Sequence, residues 1–444
     1  MKKIINTPCG EIRGSESASE GVIAFKGIRY ATAGRWEYPK QVEGWDGVYD
    51  ATEYGNCSYQ PRAFYNEEEN LKKIFYYTEF RKGEEYTYSE DCLFLNIWTP
   101  ESAEADSGLP VLIYIHGGGY TGGCGHEKHF DGPVWPKKGV VAVTVNYRLG
   151  PMGFLCLPEL KDEAGHCGNY GLFDQITAIK WVRDNISAFG GDPSRITIMG
   201  QSAGAMSVQH LCESPLADGL FSGAVMSSGC GMSSMLVSTP DKAYPFWQEV
   251  MKRLGCTTLE EFRAISPEAL FAEWQSAKKE VKGGAMATFP VKDGVLIVEG
   301  AAPKQIPYIV GSNSHDMAPP ILHSLGKGYG KGQISSLYHY HFDRMLPGDN
   351  NGAWHSADLW YWFGTLDNCW RPMEQKDYEL SDKMTTYLCN FVKNGHPNGE
   401  NMPEWNSVNE SKRSMMLGEG EAKMGNPSIF KLAAIMLTNK AVGE

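Results

Sequence analysis

The sequence predicts an α/β fold: a central, mostly parallel twisted sheet covered by helices on both faces, with a small antiparallel edge at its amino-terminal end. Three observations predict it. Residues 92–98, 110–116 and 140–145 are near-continuous apolar runs, the composition of strands buried on both faces. Residues 174–189 set Ile176, Ile179, Val182, Ile186 and Phe189 along one face of a helix. Residues 195–208 pass from an apolar run through Gly200-Gln201-Ser202-Ala203-Gly204 into a helix-forming segment, so strands alternate with helices.

Taken in order, residues 10–14 and 21–30 read as short strands bounded by glycines, the antiparallel edge. Residues 58–91 mix Phe64, Tyr65, Phe75, Tyr76, Tyr77 and Phe80 with Glu67, Glu68 and Glu69. A loop this long is either a rim over a pocket or a segment anchored by its aromatics. The run 110–116 ends in His116-Gly117-Gly118-Gly119-Tyr120-Thr121-Gly122, a spacing that also fits a dinucleotide fingerprint. Gly123, Gly125, Gly132, Pro133 and Pro136 forbid the helix that such a site requires. The remaining reading is a loop whose bare N–H groups face an oxyanion. His126-Glu127-Lys128-His129 is one residue short of a zinc-protease helix motif and lies in this Gly/Pro loop, so it reads as surface histidines.

Gly190-Gly191-Asp192-Pro193 stops the helix, and residues 195–199 form the next strand. Residues 223–226 and 306–310 read as further strands, each followed by a small polar loop, Ser227-Ser228-Gly229-Cys230 and Gly311-Ser312-Asn313-Ser314-His315-Asp316. Residues 338–342 give one more strand, then a loop over 346–354, with His355 opening the segment 356–364.

A serine between strand and helix, with glycines two residues to either side, is held clear of the sheet where a base can reach it. Chemistry in an open parallel sheet collects at the carboxyl ends of its strands, which puts Asp316 on the edge that carries Ser202. His355 follows the acid, the chain order nucleophile, acid, histidine. His210, His323, His339, His341 and His396 lack that context and read as ordinary core or surface residues.

Over 444 residues no linker, repeat or low-complexity tract divides the chain, so residues 1–444 read as a single domain. The net charge of −12, with both signs interspersed, argues against nucleic acid and anionic membranes as partners. No run approaches the length of a membrane span, and Asn6 and Pro8 interrupt any leader-like apolar core. Eleven cysteines, an odd number without Cys-x-x-Cys pairs, fit a reduced, cytoplasmic protein. Oligomeric state is open.

Five motifs in order resemble the type-B carboxylesterase family, the group of cholinesterases, liver carboxylesterases and bacterial para-nitrobenzyl esterases within the α/β-hydrolase fold. They are Ser89-Glu90-Asp91-Cys92-Leu93-Phe94-Leu95-Asn96, His116-Gly117-Gly118-Gly119, Asn146-Tyr147-Arg148-Leu149-Gly150, Phe189-Gly190-Gly191-Asp192-Pro193 and Gly200-Gln201-Ser202-Ala203-Gly204-Ala205. The resemblance implies a serine esterase with Ser202 as nucleophile, His355 as base then acid, and Asp316 orienting it. It implies an oxyanion hole from the N–H groups of Gly118, Gly119 and Ala203, and a supporting serine at Ser228. No metal or cofactor is called for, and the partner is a small-molecule ester.

The chain departs from the family in four places. Asp316 stands where glutamate is usual, so its loop must sit closer to His355. The interval from Asp316 to His355 is short, so helices that wall the gorge in animal members are missing. Gln201 replaces the glutamate that precedes the cholinesterase nucleophile. Cys57 and Cys92 match a disulfide of secreted members, and a pair of free thiols is the alternative. Two other functions fit the same fold, a hydrolase of feruloyl or other plant aryl esters and a catalytically silent adhesion or binding module. The latter typically lose the nucleophile, which is present here.

Overall fold

The computed structural model describes residues 2–420 and 422–438. Its 13-stranded sheet runs, edge to edge, Lys2–Thr7, Gly10–Glu16, Val22–Arg29, Phe94–Pro100, Val141–Val145, Leu109–Ile115, Gly191–Gln201, Gly223–Ser227, Tyr308–Asn313, Leu337–Asp343, Ser414–Gly418 and Lys423–Gly425, with Val48–Asp50 beside Gly10–Glu16. From Val141–Val145 to Ser414–Gly418 every pairing is parallel, while the first four strands and the last are antiparallel to their neighbours along this order; Val48–Asp50 runs parallel to Gly10–Glu16. This is the α/β-hydrolase fold expected from the sequence.

The two faces of the sheet follow from strand periodicity. Val111, Ile113, Ile115, Ile196 and Ile198 join one core with Ile176 and Ile179 of the helix Tyr170–Asn185 and Val208 and Leu211 of the helix Ala203–Glu213. Leu112, Tyr114 and Met199 face the other way, into a core with Leu388 and Phe391 of the helix Gln375–Asn394. A third core gathers Trp247, Phe271 and Trp274 from the helices Pro240–Arg253 and Pro267–Glu280 around Met152, Leu155 and Tyr170.

The register matters for function because it brings one set of loops to a common edge. Ile115 pairs with Gly200, Gln201 with Ser227, and Ser227 with Gly311. The residues that follow these positions therefore emerge side by side. Over that edge lies the long segment 58–91, folded into the turns Pro61–Phe64 and Glu67–Glu69 and the helix Ile74–Phe80. It is anchored by its aromatics, since Phe75, Tyr76 and Phe80 lie 5.1, 5.8 and 5.6 Å from the Trp354 ring. The buried Glu79 carboxylate beneath it is held by Arg371 at 2.6 Å. Among the described residues no helix is long and apolar enough to cross a membrane.

Candidate functional site

The strand Gly191–Gln201 turns into the helix Ala203–Glu213 through Ser202, whose φ of 56° and ψ of −125° fall outside the regions a non-glycine residue readily adopts. The turn is held by the Ser202 N–H, which donates to the Ser227 carbonyl at 2.9 Å. Gly204 permits the tight crossing, because a Cβ there would lie 2.1 Å from the Ile115 carbonyl oxygen.

Beside Ser202 runs the glycine loop. Gly118 has φ of 105°, and a Cβ on it would meet the Gly122 carbonyl oxygen at 2.2 Å. The Gly118 carbonyl accepts from the N–H groups of Thr121 and Gly122, both at 3.0 Å. Gln60 clamps the far end, accepting from the Gly123 N–H at 2.9 Å and donating to its carbonyl at 3.0 Å. Among the described residues the N–H groups of Gly118, Gly119 and Ala203 have no acceptor, and all three belong to the stretch of backbone around Ser202.

The structure brings Asp316 and His355 into direct contact, His355 Nδ1 donating to Asp316 Oδ1. Asp316 Oδ2 accepts from the Asn313 N–H at 3.0 Å. The aspartate is thus within reach despite its shorter side chain. Burial disfavours the imidazolium of His355, yet the charge and hydrogen bond of Asp316, with Asp358 behind it, outweigh burial and raise its pKa above 6.5. Ser202 and His355 line one cavity but are not hydrogen-bonded to each other. His355 Nε2 instead lies 3.2 Å from the side-chain amide nitrogen of Gln201.

Several contributors were not read from the sequence. Asp358 is fully buried, and its carboxylate accepts from Ser227 Oγ at 2.7 Å, Tyr340 Oη at 2.8 Å, Asn313 Nδ2 at 3.1 Å and Trp362 Nε1 at 3.2 Å. It fixes the loop of His355 to three neighbouring strands, two of them at their last residue. Its one sequence signal is a lone carboxylate abutting the apolar helix Leu359–Phe363. Ser227 is the serine in this network; the neighbouring Ser228 has φ of 52° and a buried hydroxyl without a partner. Gln60 and Arg62 of the long segment gave no signal beyond their place in it.

The histidines read as surface residues are buried. His129 packs against Phe80 and Phe130 at 3.9 and 3.7 Å between centroids, and His126 stacks on Tyr54 at 4.6 Å. The expectation failed because the surrounding aromatics cover a loop whose composition alone looks exposed. Cys57 and Cys92 are both free thiols, as are the other nine cysteines.

The cavity over Ser202 and His355 measures about 440 Å³. Tyr76, Phe80 and Phe130 give it an apolar wall, and Arg62, Arg81 and Glu127 a charged one. Those charges pair among themselves, Arg62 with Glu127 at 2.6 Å and Arg81 with Glu67 at 2.7 Å.

Comparison with known proteins agrees with this architecture. The family model described as the carboxylesterase family matches residues 1–333 and 320–428. The para-nitrobenzyl esterase of Bacillus subtilis is 29% identical over 490 aligned residues, covering 96% of each chain. A solved para-nitrobenzyl esterase superposes with a TM-score of 0.80 at 27% identity, over 98% of this chain and 100% of the other. An esterase from Clostridium hathewayi that hydrolyses aliphatic aromatic polyesters gives a TM-score of 0.82 at 26% identity, over 98% and 97%. Both the matched length and the shared sheet lead to one conclusion: the chain belongs to the carboxylesterase family.

Proposed function

We propose that Ser202 is the nucleophile of a serine carboxylic-ester hydrolase, with His355 as base and then acid, Asp316 orienting it, and the N–H groups of Gly118, Gly119 and Ala203 receiving the oxyanion. The observation that carries this reading is the Asp316–His355 pair opening into the same cavity as Ser202 and the unengaged glycine-loop amides. Because Nδ1 donates to Asp316, Nε2 keeps its lone pair free to accept the serine proton. The Gln201 amide holds that lone pair until a substrate carbonyl brings Ser202 Oγ into range.

Ser202 Oγ then adds to the carbonyl as its proton passes to Nε2, and the tetrahedral oxyanion is met by the three amides. Collapse expels the alcohol, which takes the proton from His355. Water then adds to the acyl carbon as its proton passes to Nε2, and collapse releases the acid while Nε2 returns that proton to Ser202 Oγ. The silent-module reading loses its basis, since no element of this machinery is substituted away.

The cavity suits esters of modest size with an aryl or alkyl group against Tyr76 and Phe80, nitrophenyl and nitrobenzyl esters among them. Two organisational readings accompany this. The reading of residues 1–444 as one domain is supported by the single sheet that joins strands from Lys2 to Gly425. A cytoplasmic location fits eleven free thiols, ten of them buried. A fluorophosphonate probe tests the assignment: it must label Ser202 stoichiometrically, and label on any other residue overturns it. A panel of nitrophenyl esters beside methyl ferulate and an acetylated sugar then ranks the acyl and alcohol groups.

A further inference from the structure

We propose that Cys57, Cys124 and His126 form a binding site for a soft divalent transition-metal ion, Zn²⁺ by its chemistry, which clips the long segment over the cavity to the loop behind Gly118 and Gly119. The site is separate from the hydrolytic machinery and no step of ester cleavage runs through it.

The ligand atoms of these three residues lie within 4.8 Å of one another. Cys57 Sγ and His126 Nε2 are 3.5 Å apart. A tetrahedral ion with Zn–S near 2.3 Å and Zn–N near 2.0–2.1 Å requires an S···N edge of about 3.5 Å. The edge between Cys57 and His126 already has that length. Two thiols and an imidazole are also the donor set that selects zinc over hard cations, and the two thiolates formed on binding neutralise the dication. Binding makes two metal–sulfur bonds and releases two protons to solvent, while neutral His126 gives its Nε2 lone pair.

The surroundings hold these donors in place. Both thiols are fully buried and His126 is nearly so, its ring fixed by Tyr54 at 4.6 Å and Tyr86 at 5.5 Å between centroids. Asn146 ties the two ligand-bearing segments together, accepting from the Gly125 N–H at 2.7 Å and donating to the Asn56 carbonyl at 3.0 Å. Arg62 Nη2 lies 3.9 Å from Cys124 Sγ, where an N–H donor supports a metal-bound thiolate. A polar cavity of about 330 Å³, lined by Tyr54, Tyr86, His126 and Asp131, adjoins His126 and provides an entry path and a place for water as fourth ligand. The Nδ1 atom of His126 is buried without a protein partner.

The test uses full-length protein purified in reductant, stripped with chelator and titrated with Co²⁺. The expected result is one Co²⁺ per chain with a thiolate-to-cobalt charge-transfer band and tetrahedral d–d absorption, both bleached by Zn²⁺. Cys57→Ser, Cys124→Ser and His126→Gln should each remove the band and weaken Zn²⁺ binding at least about 100-fold, since losing even an outer-shell partner of a ligand costs about 10–100-fold. Cys156→Ser/Cys167→Ser, which removes the other close thiol pair at 3.2 Å, should leave the spectrum unchanged. If the single variants do not fold, peptide mapping of the parent decides: Zn²⁺ should shield Cys57 and Cys124 from iodoacetamide and leave Cys156 and Cys167 unshielded. No cobalt band, a band kept by Cys124→Ser, equal alkylation with and without Zn²⁺, or a Cys57–Cys124 disulfide in reductant-purified protein would each overturn the proposal.

Discussion

Replacing Asp316 by asparagine preserves shape and changes only which atoms can accept a hydrogen bond. In the parent, Oδ2 accepts from the backbone N–H of Asn313 at 3.0 Å and Oδ1 accepts from His355 Nδ1. An asparagine offers one oxygen and one NH₂ to these two donors. The Asn313 N–H belongs to the main chain and cannot become an acceptor, whereas His355 can change tautomer. Turning the NH₂ toward Asn313 would leave a buried donor facing a donor, at a cost of about 1–3 kcal/mol. That corresponds to a preference of roughly 5- to 150-fold for the orientation with its oxygen on Asn313. The NH₂ then faces Nδ1, which must accept, so the imidazole proton moves to Nε2 and the base loses the lone pair it needs. The carboxylate charge that steadies the imidazolium is lost as well, so kcat should fall on the order of 10³–10⁴-fold with KM little changed. Steady-state kinetics on a nitrophenyl ester measure this, and ¹⁵N spectra of His355 report the tautomer. A kcat within tenfold of the parent, or an Nδ1-protonated ring in the variant, would refute the reasoning.

Four further outcomes are expected. Ser202→Ala should lose about 10⁴-fold or more in kcat with folding intact by circular dichroism, and His355→Ala should match it. By contrast His323→Ala and His341→Ala, whose rings burial keeps neutral, should retain catalysis; greater damage there than at His355 would show the base to be misassigned. Since Asp316 raises the His355 pKa, kcat/KM should climb with pH through a limb above 6.5, because only the neutral ring accepts a proton; a limb at or below that value contradicts the Asp316–His355 coupling. Glu127 is buried, but Arg62, Arg81 and His129 outweigh burial and hold its pKa at about 2, so Glu127→Gln should cost about 3–5 kcal/mol in urea unfolding at neutral pH. That difference should be full above the ordinary value of 4.5 and disappear as pH falls toward 2. Butyrylcholine should show less than a tenfold advantage in kcat/KM over 3,3-dimethylbutyl butyrate, a bound equal to about 1.4 kcal/mol. The acidic groups of the cavity are already paired, Glu67 and Glu127 with arginines and Asp316 with His355, and no tryptophan stands in residues 58–91 to hold an ammonium.

The sheet was legible wherever a strand is buried on both faces, because an unbroken apolar run has few other uses. The strand Lys2–Thr7 is hard to read because it sits at the edge with alternating exposed side chains and carries two lysines. The helix 174–189 proved to begin at Tyr170, since Asn169 in the left-handed region starts it without a capping hydrogen bond, and to end in a separate 3-10 turn, Ile186–Phe189. The helices from Pro240 to Glu280 leave no clear signal in the sequence. Their apolar faces meet each other and the segment after Leu149 more than the sheet, so no neighbouring strand signal pointed to them. At the site, residues on motif spacings were readable and those brought in by distant packing were not. Asp358 stands only three positions from His355, but its value lies in Ser227, Asn313 and Tyr340, which no local pattern connects to it.

That network has a bearing on how such a chain tolerates change. Asp316 is held through the Asn313 amide and His355 through its neighbour Asp358, so both are referenced to the sheet, including the strand Leu337–Asp343 that carries Tyr340 within the 39-position interval between them. Length can change between Met317, which lines the cavity, and the helix Pro319–Gly328 while that strand keeps acid and base aligned. Insertions there should remodel the mouth of the cavity while leaving the reacting groups in place, which makes that segment the natural graft point for altering substrate scope, and Asp358 the residue any such redesign must leave untouched.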